Sequence, residues 1–154
     1  MTQVTLVLAI ILAVGYVMLA RKKHGENLIS VSSIAYILPS WMFTVVLGLE
    51  SILLAPSIFE HLPNDWQFIG FLCLLGLWAV AASPYFHTEA RTLHNIGGFG
   101  FCIMSQVVVI FGQYCLLFGW LPVLCYIVLA EGKKDKTFWA EVTAYVILVF
   151  NLIV

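Results

Sequence analysis

Charge is scarce in this 154-residue sequence: Asp, Glu, Lys and Arg together make up 10%, against 62% for the apolar and aromatic set. A water-soluble domain carries about 25% charged residues. A chain so poor in charge cannot enclose a core and still present a polar surface, and its mean hydropathy of +1.03 points to lipid as its main solvent. The few charges nearly balance, seven basic against eight acidic. That excludes a basic surface for nucleic acid and an acidic tail.

Paired cysteines are also lacking. Cys73, Cys102, Cys115 and Cys125 each sit inside an apolar run, and no two are spaced C-x-x-C. Disulfide scaffolds place cysteines among polar loops and zinc sites need paired thiolates or imidazoles at short spacing, so the four read as small apolar side chains. No basic residue precedes the first apolar run, Val4–Ala20; Arg21-Lys22-Lys23 follows it. A secretory signal has the reverse order, so this segment reads as a retained first helix with its N-terminus outside. There is no Asn-x-Ser/Thr sequon and no lipidation motif.

Long apolar runs are what the sequence does have. A membrane helix needs about 20 apolar residues, and the polar clusters divide the chain into runs at about 4–20, 29–58, 66–82, 93–112, 114–130 and 138–154. No charge marks the turn between the fourth and fifth runs. Counting six crossings, however, puts Arg21, Lys22, Lys23, Arg91, Lys133, Lys134 and Lys136 all on one side. Five crossings would split them. Cytoplasmic loops concentrate Lys and Arg, so six crossings are expected, with both termini outside and the basic loops cytoplasmic in a plasma or bacterial inner membrane. Unbroken runs such as Leu6–Ile11 and Val107–Phe111 lack the alternation of a transmembrane β-barrel. The expected fold is all-α: a polytopic transmembrane helical bundle forming one integral membrane domain over residues 1–154.

Polar residues inside the runs are costly to bury in lipid and therefore informative. Glu50 lies 10 residues before Glu60, about 15 Å along a helix from the outer loop. It reads as a proton-, cation- or ligand-binding carboxylate or as a helix contact, with Pro39 and Pro56 able to shorten its span. In the fourth run, Arg91, His94, Asn95, Gly98, Cys102, Ser105, Gln106 and Gln113 recur at helical spacing. They form a small or polar stripe facing the bundle, opposite a lipid face of Phe99, Ile103, Val107, Val108 and Phe111. Ser83-Pro84 reads as this helix's N-cap and first residue.

His87, Glu89, Arg91 and His94 form a cluster at the cytoplasmic interface. His87 and His94 are seven residues apart, too far for a helical metal pair, and no imidazoles face each other for haem. No cofactor or metal is expected. Glu141, behind Thr137, is favoured by its helix dipole and reads as structural. Trp66, Trp120 and Trp139 fall at expected interfaces as anchors; Trp41 and Trp78 lie deeper and read as packing residues.

Three function classes fit. The first is a carrier, channel or permease-type subunit whose path uses Glu50, Ser105, Gln106 and Gln113. The second is a non-catalytic accessory or assembly subunit of a larger membrane complex. The third is an enzyme acting on a lipid or isoprenoid at His87, Glu89, Arg91 and His94, though no nucleophile–base pair supports it. The expected partners are membrane lipids, with further copies or other membrane subunits.

Overall fold

A computed structural model describes residues 2–25, 28–86 and 90–154, and among them the chain is helical with no strand. Six helices follow in order: α1 (Thr2–His24), α2 (Ser40–His61), α3 (Gln67–Ala82), α4 (Ala90–Phe111), α5 (Trp120–Leu129) and α6 (Lys136–Ile153). Short 3-10 turns flank them at Ser32–Tyr36, Asn64–Trp66, Ser83–Tyr85 and Tyr114–Gly119. Five helical segments are long and apolar enough to cross a membrane, α3 once its flanking turns are counted. The Tyr114–Leu129 segment is shorter.

That short segment nonetheless runs beside nearly all of α6. At one end the Gln113 amide donates to Asn151 Oδ1 at 2.7 Å. At the other, Tyr126 Oη donates to Asp135 Oδ1 and Lys136 Nζ to the Ile127 carbonyl, each at 2.7 Å.

Contacts between helix ends fix the directions of the rest. Ser57 near the end of α2 donates to the Thr2 carbonyl at the start of α1, and Trp66 before α3 packs on Phe111 at the end of α4. At the opposite end Arg21 stands over the Phe138 ring, 5.1 Å from its centroid, and His94 stacks on Phe43. The last turn of α1 and the first turns of α2, α4 and α6 therefore share one end of the bundle. Residues Arg21–Lys23, Arg91 and Lys133–Lys136, which hold all seven basic side chains, belong to it.

Two apolar clusters stack along the bundle. One gathers Leu6, Ala9, Leu54, Ile58, Val108 and Leu148; the other, at the basic end, gathers Tyr16, Ala20, Ile34, Phe43, Val80 and Phe138. The periphery is apolar as well: Val7, Ile11, Phe71, Leu75, Phe99, Ile103 and Phe150 are all exposed. An oily outside around a core that holds polar atoms is the arrangement for a lipid solvent.

Glycines set the closest approach. The α3–α4 pairing is the most extensive in the molecule, and a Cβ on Gly97 would meet the Gly76 carbonyl at 2.7 Å. Small residues let membrane helices touch backbone to backbone. Thr44 Oγ1 adds a tie from α2 to the Ala81 carbonyl at 2.7 Å.

Several expectations are corrected. The second run is not one helix from residue 29: Pro39, which has no N–H to donate, occupies the N-cap position of α2 (φ −53°, ψ 133°). Residues 28–38 form an elbow instead. Ser83-Pro84 belongs to a separate turn, and α4 starts at Ala90; the Ser83 hydroxyl donates to the Val80 carbonyl rather than capping α4. Val108 is fully buried, because α4 packs on α3 and α6 together; its exposed large apolar side chains are the narrow arc of Ile96, Phe99, Ile103 and Ile110. Trp41 and Trp78 lie on the periphery, where an indole costs little in contact with lipid.

Candidate functional site

The shortened second helix relocates Glu50. It stands 10 residues after Ser40 and 11 before His61, so it is at the middle of α2 rather than near one edge. Its side chain is 3% exposed. Oε2 accepts a hydrogen bond from the Tyr145 hydroxyl of α6 at 3.3 Å, the Ala13 backbone of α1 faces the carboxylate, and Oε1 has no partner. One turn along α1 from Ala13, Tyr16 is 5% exposed and its hydroxyl is also unpartnered. A carboxylate of α2 and the Tyr145 phenol of α6 therefore meet at mid-bundle, with one carboxylate oxygen to spare.

Ser105 and Gln106 form a second polar cluster, on α4, and it is closed. Gln106 Nε2 donates to Ser105 Oγ at 3.0 Å and to the Ala144 carbonyl of α6 at 3.2 Å. Its Oε1 accepts the Trp120 indole N–H of α5 at 2.9 Å, and Ser105 Oγ donates to the Cys102 carbonyl. Three helices are joined through one amide. Gln113 belongs to neither cluster: its side chain is exposed beyond the end of α4, and only its backbone amide is used. Asn151, which receives that amide, is 1% exposed with Nδ2 unpartnered, and it packs so tightly on Gly112 that a Cβ there would clash.

The interfacial cluster is only partly on view. His87 and Glu89 lie outside the described residues. Arg91 and Asn95 are exposed, while His94 is half-buried with Nδ1 3.0 Å from Ser83 Oγ and its ring on Phe43.

Glu141 does more than satisfy a dipole. Its Oε2 accepts the Val31 amide and its Oε1 the Ser32 hydroxyl at 3.2 Å, which ties the 28–38 elbow to α6. Ser32 Oγ in turn lies 3.0 Å from Ser30 Oγ, and the Phe138 amide donates to the Ile29 carbonyl. An open apolar groove of about 510 Å³ runs between Leu116–Val123 and α6, lined by Trp139, Val142, Val146 and Phe150 among others.

Sequence reasoning missed Tyr145 and Asn151 as polar partners and gave Trp120 only an anchoring role. A lone Tyr or Trp in an apolar run carries no signal that its hydroxyl or indole N–H is spoken for. No family model, curated protein or solved structure matches the chain, so the functional reading rests on these residues.

Proposed function

We propose that this chain is an integral membrane carrier or channel-type subunit in which Glu50 binds and releases the moving ion. One observation carries the reading: a carboxylate at the centre of a span, out of water, with one oxygen unpartnered. Intramembrane acids are expensive, and those that persist commonly mark ion pathways. Gln106 and Ser105 belong to the scaffold of the path rather than to its chemistry, because their hydrogen bonds are already made. The collection of all seven basic side chains at one end supports six crossings with that end cytoplasmic and both termini outside.

The test is flux. Purified protein in liposomes holding a pH-sensitive dye is given an inward proton gradient, then a sodium gradient with radioactive sodium as probe. The wild type is expected to move one of these ions, and Glu50→Gln to lose the movement at unchanged thermal stability. Wild-type liposomes no leakier than empty ones to either ion would overturn the reading.

A second reading, the accessory subunit, is favoured by the groove beside α5. That helix has no buried residue of its own, as expected where a partner helix completes the packing. It predicts that Val123→Trp, which fills the groove, abolishes co-purification of membrane partners while leaving ion flux intact.

A further inference from the structure

The proposed role of Glu50 leaves open which ion it binds and how that ion reaches it, and α6 bears on both. Tyr145, whose hydroxyl holds Glu50 Oε2, is four residues after Glu141. Residues four apart share a helix face, about 5–6 Å apart at Cβ. Glu141 is held by Ser32, and Ser32 sits against Ser30. The half-buried elbow that carries these serines follows the basic end of α1. Two carboxylates are thus strung on one side of α6, one at the centre of the bundle and one beside a hydroxyl cluster at its basic end.

We propose that Glu50 exchanges protons with the basic end of the bundle through Tyr145, Glu141 and the Ser30–Ser32 hydroxyls. The inference rests on Glu50 being the ion-binding group. The donor set argues for a proton: one carboxylate and one phenol fall short of the six or more oxygens that a hard metal cation takes. Among the described residues no three His, Cys, Asp or Glu side chains converge. The titratable groups that face the two acids are Tyr145 at Glu50 and Cys102 of α4 at Glu141; the basic side chains, Arg21 over Phe138 among them, gather at the basic end of the bundle and not at Glu50.

The transfer balances. Glu141 takes a proton through Ser32 and becomes a carboxylic acid. Rotation of Glu141 and Tyr145 closes the one-turn gap, and the Tyr145 oxygen accepts that proton while its own hydrogen passes to Glu50 Oε2. Glu141 is left as carboxylate, Glu50 as acid and Tyr145 unchanged. Chains of acidic and hydroxyl groups serve as proton relays in membrane proteins, and the closed Gln106 cluster, whose amide does not titrate, lies off this route.

The experiment follows Glu50 itself rather than transport. Protein in lipid nanodiscs is given a rapid pH drop, and the carboxyl C=O infrared band that disappears in Glu50→Gln is followed in time. In Glu141→Gln the amide oxygen can still accept the Val31 N–H while its NH2 group donates to the Ser32 oxygen, so the elbow stays tied while the titratable group is gone. The Glu50 band is expected to rise about a hundredfold more slowly in this variant, the lower end of the scale for losing one positioned proton-transfer group. Tyr145→Phe, which keeps the ring and deletes the hydroxyl, is expected to show the same delay even if Glu141→Gln fails to fold. A wild-type rate in Tyr145→Phe, or in folded Glu141→Gln, overturns the relay. So does the absence at every pH of a band that Glu50→Gln removes. Delayed protonation in both variants alongside flux-silent liposomes supports the relay and overturns only the transport reading.

Discussion

Gln106 and Glu50 are both polar side chains inside an apolar bundle, and they are treated in opposite ways. Gln106 uses both donors and its oxygen on three partners. Glu50 uses one oxygen on one phenol and leaves the other unpartnered. A saturated amide is a strut: breaking it strands its neighbours without water to take them up. A carboxylate with unused capacity contributes little to holding helices together and can change protonation state without dismantling anything. The distinction lies in the hydrogen bonds left over, not in depth or burial.

The comparison breaks most severely if the backbone beneath both clusters is disturbed. Gly97→Val would push a branched side chain into the Gly76 carbonyl and the Val80 backbone. It is expected to abolish a folded, monodisperse protein in detergent, because the backbone cannot retreat without losing the α3–α4 pairing.

Gln106→Leu should come next, costing about 1–3 kcal/mol as the Trp120 indole and the Ala144 carbonyl lose their partner; a lowered unfolding midpoint checks it. Trp120→Phe removes one of the three bonds and should cost about 1 kcal/mol, with faster proteolysis between α4 and α5. Glu50→Gln should change stability by less than about 1 kcal/mol while eliminating flux. If Glu50→Gln destabilises as much as Gln106→Leu, the carboxylate is a strut too and the distinction fails.

The smallest effect is expected at Asp135. The Tyr126 hydroxyl bond first, then the Trp139 indole N–H and nearby Lys133, hold its carboxyl below the usual range. A depressed carboxyl contributes stability above its unfolded value and loses it as pH falls through the folded one. Asp135→Asn should therefore narrow a slight gap in stability between neutral and acidic pH, in a pH series of unfolding midpoints.

Much of the architecture was legible because long apolar runs, five of them in helices long enough to cross a membrane, leave the backbone little choice but helix. The runs between charged clusters contain the body of all six helices, and the sorting of basic residues argued for a turn between the fourth and fifth runs that no charge marks. Glu50, Ser105 and Gln106 stood out because polar atoms in an apolar run need a reason. What misled was local logic. Glu141 looked explained by its own helix, and Val108 by a two-faced helical wheel, since neither shows that a neighbouring element has come to meet it. Gln113 continued the stripe in sequence, but the helix ended at Phe111 before the stripe could carry it inward.

Composition and charge placement by themselves determined an apolar, all-helical chain with its cations gathered at one end, because the cost of a charge in lipid leaves few alternatives. Only the tertiary structure decided which polar groups close on each other and which stay open. Hydrogen-bond satisfaction depends on residues such as Tyr145, 95 positions from Glu50, that sequence spacing cannot pair.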